Sequence, residues 1–228
     1  MTHIQNDKPV IIYGNGHMAN MLFHFMKVNH DIACFAVDDH CITNDIFESL
    51  PVIPFSQIEN RFPPATHNMI ISIGFCQMNS LRKRKYLESI DKGYQLINYI
   101  HSSVVIHDTN TLGQNNIILD HASIHPNTKI GNGNFISSNG NLGHGCTVGD
   151  FCWINAGVCV GGESQLGSQS FLGMNATIGH GIKIADESFI GAHTLVAHDT
   201  FHKEVYLSEN GVKHRLDSDH FLKFSSVT

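Results

Sequence analysis

Residues 142–198 read LGHGCTVGDFCWINAGVCVGGESQLGSQSFLGMNATIGHGIKIADESFIGAHTLVAH, and every sixth residue from Leu142 to Val196 is Leu, Val or Ile. The frame runs backward unbroken through Ile136, Ile130, Ile124, Ile118, Leu112 and Ile106 to Ile100. It stops at Tyr94 on one side and His202 on the other. Glycine often follows the aliphatic, as at Gly131, Gly143, Gly149, Gly161 and Gly173, and a small residue often precedes it by two, as at Ala122, Thr128, Cys146, Ser164 and Ser188. A period of six is neither the 3.6 of a helix nor the 2 of a simple strand. It predicts short flat strands separated by corners, each aliphatic pointing into a narrow triangular core. The glycine is expected to supply unusual corner dihedrals. Three units make a coil of 18 residues, and coils stack at the strand spacing of ~4.8 Å. The reading is a hexapeptide-repeat parallel β-helix over residues 99–200.

Residues 1–98 follow a different pattern. PVIIYGNGHMANMLFHFMKV reads as strand, glycine turn and helix, IACFAVDDH as a strand ending in two acids, and HNMIISIGF as a third strand and turn. MNSLRKRKYLESIDKGY reads as a helix that stops at Lys92-Gly93. Strands alternating with helices predict a small parallel α/β sheet. Gly14-Asn15-Gly16-His17-Met18-Ala19 fits G-x-G-x-x-A after a strand, and Asp38 follows about twenty residues on. About 90 residues supply only half a dinucleotide fold, so the expectation is an anion at a helix N-terminus rather than NAD. A tight turn without a ligand is the alternative. Residues 201–228 are expected to form a C-terminal cap, with a hairpin around Asn210-Gly211.

Composition bounds the function. The 228 residues are 42% hydrophobic and 15% charged, and no apolar run approaches the ~18–20 residues of a membrane span. The start MTHIQNDKPV has no signal-peptide pattern, so a cytoplasmic protein is expected. A net charge of −6 with scattered Lys and Arg argues against nucleic acid. The six cysteines contain no C-x-x-C and read as small buried hydrophobes. The run Arg82-Lys83-Arg84-Lys85 reads mainly as a solvated helix face, with nucleotide phosphate contact as the other reading.

A small α/β unit followed by a hexapeptide β-helix, with segments such as Ile130-Gly131-Asn132-Gly133 and Leu172-Gly173-Met174-Asn175-Ala176, resembles the left-handed β-helix sugar acyltransferases of the sialic-acid O-acetyltransferase-like superfamily. Within that superfamily it resembles, for example, the bacillosamine-type and perosamine-type nucleotide-sugar N-acetyltransferases. The resemblance covers about residues 9–200 and implies left-handedness, a homotrimer and acetyl-CoA as cosubstrate, with no metal. It implies a nucleotide-linked amino sugar on the α/β domain, held at Gly14, Asn15, Gly16, His17, Asp38, Asp39 and Gly74. It implies His144, in Asn141-Leu142-Gly143-His144-Gly145-Cys146-Thr147-Val148-Gly149, as general base. Many relatives carry an acid immediately after this His, where Gly145 stands here. Trp153, Gly162, Met174 and Ala192 are the positions the resemblance assigns to the acetyl-CoA groove.

The chemistry suits these residues. An amine attacks a thioester only as the free base, and an imidazole is the side chain whose ordinary pKa lies nearest neutrality. Backbone N–H groups at a corner would stabilise the oxyanion. The implied reaction is direct acetyl transfer to an amino sugar in surface glycan synthesis, without an acyl-enzyme. Cys146 falls in a small inward slot and reads as packing rather than nucleophile. Three other readings stand beside it: O-acetylation of a sugar hydroxyl, an inactive scaffold, and a gamma-carbonic-anhydrase-like metalloenzyme. The last starts from His144 and His180, 36 residues apart, but the third histidine it needs is Ala185. Stacking two coils is expected to hold that pair about 9–10 Å apart.

Overall fold

The computed structural model describes residues 8–225. The first unit is a six-stranded sheet built from β1 (Val10–Tyr13), β2 (Ile32–Val37), β3 (Ile46–Phe47), β4 (Leu50–Pro54), β5 (Asn68–Ile71) and β6 (Gln95–Leu96), in the order β3-β4-β2-β1-β5-β6. All pairings are parallel except β3 with β4. Helices α1 (His17–Met26), the short α2 (Ile58–Arg61) and α3 (Ser80–Asp91) connect them. The continuous apolar runs VIIY and NMII are buried throughout, as expected of a parallel sheet covered on both faces. Val10, Ile12, Phe35 and Ile70 pack on one side with α1 residues Ala19, Leu22 and Met26. Ile11, Cys34, Met69 and Ile71 pack on the other with Phe55 and Tyr94. The β3–β4 hairpin was not anticipated; its turn places Glu48 and Ser49 at positive φ.

From Tyr99 the chain winds as a parallel β-helix of two-residue strands, each paired with the strand 18 residues on. The first face carries Tyr99–Ile100, 117–118, 135–136, 153–154, 171–172 and 189–190. The second carries 105–106 through 195–196, and the third 111–112 through 183–184. The six-residue frame is the inner lining. Ile118, Ile124, Ile130, Ile136, Leu142, Val148, Ile154 and their successors to Val196 form one buried cluster. The small residues two positions earlier are also inward, and Thr128, Ser164 and Ser170 donate across the core to the carbonyl 15 residues on. Thr128 Oγ1 reaches Gly143 O at 3.0 Å and Ser164 Oγ reaches Gly179 O at 2.8 Å. Asparagines make a second ladder at the corner before the first face. The side-chain oxygens of Asn98, Asn116 and Asn134 accept the N–H of Asn116, Asn134 and Cys152 at 2.7, 3.1 and 2.7 Å.

The corners correct one expectation. The left-handed backbone falls three residues after the aliphatic, at Asn127, Gly133, Asn139, Gly145, Glu163 and Asn175 among others, not at the glycine directly after it. That glycine is demanded by close stacking: a Cβ on Gly143 would lie 2.5 Å from Gly162 N, and one on Gly173 2.5 Å from Ala192 N.

The expected hairpin at Asn210-Gly211 is also corrected. Residues 207–214 form no strand. Instead Val205–Tyr206 adds a seventh strand to the first face, pairing Phe189 with Val205. That offset is 16 residues rather than 18, which is why the aliphatic frame lapses at His202 while Tyr206 still packs on the core. A helix, α4 (Ser218–Ser225), follows; residues 226–228 of the expected cap lie outside the described residues.

The sheet unit sits on the first face of the prism. Tyr99, Ile117, Phe135 and Trp153, the outward residues of that face, share a core with α1 and the sheet. Polar anchors fix the contact. Ile71 N donates to Asn115 Oδ1 at 2.6 Å, and Asn79 Nδ2 donates to Phe151 O at 2.8 Å. Arg82, 1% exposed, donates to the carbonyls of Ile73 and Gly133 and lies 4.7 Å above the Trp153 ring. The basic run is therefore not a solvated face: Arg82 and Lys85 are buried, and only Lys83 and Arg84 are exposed.

Candidate functional site

The sheet order changes direction between β1 and β5. In open parallel sheets such a reversal leaves a crevice at the carboxyl ends of the strands, where ligands bind. The carboxyl ends of β1, β2 and β5 are Tyr13, Val37 and Ile71. The residues that follow are Gly14–His17, Asp38–Asp39 and Ser72–Gly74, so three turns distant in sequence meet on one sheet edge. Gly14 has φ +127°, and a Cβ there would lie 2.7 Å from Ser72 O. Gly74 has only the Met18 side chain near it, at 3.6 Å. Gly16 is the N-cap of α1, and a Cβ on it would meet nothing within 4 Å. Asn15, Gly16, His17, Asn20 and Phe47 line an open cavity of about 450 Å³. His17 is exposed at the first turn of α1.

The two acids are already engaged by protein groups. Asp38 accepts from Lys85 Nζ at 2.6 Å, and Lys85 also holds Glu88 at 2.6 Å. Burial would raise the Asp38 carboxyl, but hydrogen bonds from Lys85 and Tyr13 outweigh it and hold it below the usual carboxylate range. Burial and the facing Asp38 push the Tyr13 hydroxyl up. Asp39 accepts from Ser56 Oγ at 2.7 Å. Three residues not anticipated belong to this edge. Phe47 lines the cavity. Glu48 holds Asn20 at 2.5 Å and approaches His24 at 3.4 Å. Ser72 is 3% exposed, and its hydroxyl has no hydrogen-bond partner among the described residues.

The second group is on the prism. His144 follows Asn141–Leu142 of the second face and precedes Thr147–Val148 of the third, so it stands at the vertex opposite the first face. It is exposed. Residues 144, 162 and 180 stack in one column and 145, 163 and 181 in the next, as the bonds Glu163 N to His144 O (2.7 Å) and Gly181 N to Gly162 O (2.9 Å) require. The His144 ring lies over Gly162: a Cβ there would be 2.5 Å from its Cε1 and 2.8 Å from Nδ1. Across that gap the His144 and His180 ring centroids are 6.2 Å apart, closer than two coils of backbone, because the rings lean together. Glu163 Oε2 lies 3.8 Å from His180 Nε2. Among the described residues no group of three His, Cys, Asp or Glu side chains could hold a metal ion. Burial raises the Cys146 thiol, whose Sγ donates to Gly161 O at 3.2 Å. The thiol is thus kept protonated and poorly suited to attack.

The groove positions divide. Gly162 is against His144. Trp153 is not free to border a ligand: it is 8% exposed, stacked on Phe135 at 4.2 Å and covered by Arg82, with its Nε1 donating to Asn155 Oδ1. Met174 and Ala192 are exposed, but they stand at the vertex between first and second faces rather than at that of His144. The aromatic series at Phe135, Trp153, Phe171 and Phe189 was the signal that this face is covered. A larger crevice of about 1100 Å³ lies between the far end of α1 and the first coil, lined by Phe25, His30, Asn98, His101 and Gln114. None of the expected site residues lines it.

Comparison with known proteins agrees with this architecture. A family model described as the GMPPB C-terminal domain matches residues 99–211. No curated protein matches the sequence. Among solved structures, the acetyltransferase domain of PglB from Neisseria gonorrhoeae in complex with acetyl coenzyme A is similar at TM-score 0.76 and 17% identity, over 85% of this chain and 93% of that one. PerB from Caulobacter crescentus, in complex with CoA and GDP-perosamine, is similar at TM-score 0.61 and 22% identity, over 87% and 91%. WeeI from Acinetobacter baumannii is similar at 0.52 and 15%, over 87% and 93%. The chain thus has the fold of these proteins, an α/β unit followed by a left-handed parallel β-helix.

Proposed function

We propose that this chain is an acetyl-CoA-dependent N-acetyltransferase acting on a nucleotide-linked amino sugar. The observation that carries the reading is the pairing, in one fold, of a switch-point crevice with an exposed His144 on a β-helix vertex. The shared architecture with proteins solved with acetyl coenzyme A, CoA and GDP-perosamine supports it. In this reading the nucleotide lies over Gly14–His17 and Gly74, with the α1 N-terminus facing its phosphates. Asp38 positions the turn through Lys85 and Tyr13. Asp39 fixes the edge through Ser56.

His144 accepts the proton of the attacking nitrogen as it adds to the thioester carbonyl. Corner N–H groups receive the oxyanion, and the thiolate leaves directly. The crevice and His144 stand on opposite sides of one prism, so the amine of a sugar held by one chain meets the His144 of another. A homotrimer satisfies this, with acetyl-CoA between neighbouring prisms along Gly162 of one vertex and Met174 and Ala192 of another. Synthesis of a surface glycan in the cytoplasm is the setting that fits such a substrate. No helix among the described residues is long and apolar enough to cross a membrane.

The test is CoA release from acetyl-CoA against UDP-, GDP- and dTDP-linked 3- and 4-amino sugars, with His144→Ala alongside. The expected result is turnover with one amino sugar, falling by about 10²–10⁴ in the variant. Turnover only with a sugar hydroxyl would replace the amine reading, and unchanged turnover in His144→Ala would remove the base.

A further inference from the structure

We infer that His180, with the Glu163 carboxylate beside it, is a second proton acceptor of the acyl-transfer site and works beside His144. The inference rests on the acetyltransferase reading and deepens it. A sugar amine enters near neutral pH largely as an ammonium. Forming the C–N bond and breaking the C–S bond removes two protons from nitrogen; one ends on the CoA sulfur and the other leaves to solvent. One imidazole holds one proton at a time. His144 can take the proton released during attack and return it to the thiolate. The earlier proton, which must leave before the nitrogen has a lone pair, needs another acceptor.

The geometry supplies one. The His180 ring is 6.2 Å from that of His144 by centroid. That spacing suits a shared small group or one bridging water. It exists because residue 162 between them has no side chain. Glu163 stands in the column of Gly145, one coil on, and its carboxylate lies 3.8 Å from His180 Nε2. That places a carboxylate beside the ring nitrogen on which His180 would carry the proton. The other titratable or charged groups around the pair are His198 and Asp199, one coil beyond in the same two columns, and Lys183 on the third face. Asp199 already accepts from the Lys183 backbone N–H at 2.8 Å. This leaves Glu163 as the carboxylate paired with His180.

The arrangement predicts a particular pH dependence. His180→Gln and Glu163→Gln should lose activity where the acceptor is an ammonium, and regain it where the acceptor is already a free amine. The experiment is the pH–rate profile of wild type, His180→Gln, Glu163→Gln and His144→Ala, at saturating acetyl-CoA and with the amino sugar the wild type accepts. The expected result for His180→Gln is a loss of about 100-fold at pH 6.5 that shrinks to a few-fold by pH 9.5, with Glu163→Gln in the same direction and smaller. His144→Ala should stay low at every pH. A His180→Gln profile that overlays the wild type, or lies below it by one constant factor, overturns the inference while leaving the function reading intact. A wild type without turnover on any amine overturns both.

Discussion

At the scale of single residues, two glycines carry as much as the histidines. Gly162 is the floor against which His144 rests, and any side chain there meets the ring at 2.5–2.9 Å. The ring is exposed and can swing aside. Gly162→Ala should therefore cut turnover at least tenfold while shifting stability by no more than about 0.5 kcal/mol, the range of ordinary surface changes. Parallel kinetics and a urea melt would check both halves. Gly16 is the converse case, since its position opens on empty space and its φ is ordinary. Gly16→Trp should fold and fill the crevice, raising the KM for the nucleotide sugar without raising that for acetyl-CoA. Asp38 yields a pH signature. Its folded pKa lies below the unfolded value, so its stabilisation is present above about pH 4 and is lost as pH falls through the lower folded value. Wild type should exceed Asp38→Asn in urea midpoint at pH 7, and the difference should vanish towards pH 2.

At the scale of elements, the β-helix is held by two stacks. The aliphatic stack is apolar and redundant from coil to coil. Ile136, fully buried in it, should cost about 2–5 kcal/mol as Ile136→Ala. The asparagine ladder is different, because each member serves its neighbours. Asn116 donates to Gly131 O at 2.9 Å and accepts the Asn134 N–H at 3.1 Å. Asn116→Ala removes the partner of both the partly buried Gly131 O and the buried Asn134 N–H, at up to about 1–3 kcal/mol for each. Chemical denaturation of the two variants would show whether the polar ladder rivals the aliphatic one. The period of six was legible because the inner position of every unit meets the same requirement, a branched aliphatic in a narrow core. The corners depart from the sequence expectation because glycine at one position answers crowding, while the left-handed backbone lies two residues further on and is often Asn, Glu or Gln. The final strand escaped the frame because its coil is two residues short.

At the scale of the whole molecule, the sheet unit is fixed to one prism face by Phe135, Trp153 and the buried Arg82, and His144 faces away from it. If the sugar crevice of one chain serves the His144 of another, two variants each impaired at one of them must complement. Co-expressed Gly16→Trp and His144→Ala chains should regain measurable turnover, because mixed trimers contain some sites with an intact crevice and an intact histidine. The assembly should sediment at three times the 25.3 kDa chain mass. Activity absent from the mixture but present when both intact residues occupy one chain would locate the whole site within a single subunit.

By itself the sequence determined the repeat, the strand–turn–helix order of the first unit and the residue types able to do acyl-transfer chemistry. Each of these is a local constraint: an aliphatic every six residues, a glycine where Ser72 O leaves no room for a Cβ, an imidazole at a corner. Only the tertiary structure decided which of those residues are available. Trp153 and Met174 are both large apolar residues in the repeat, yet one is buried under Arg82 and the other is 58% exposed. Arg82 and Lys83 are neighbours in one basic run, yet only the first is buried. The approach of His180 and Glu163 to His144 likewise needs the coils stacked. The physical reason is common to all three. Exposure and contact across coils are set by what packs on a face, and that partner lies tens of residues away in the chain.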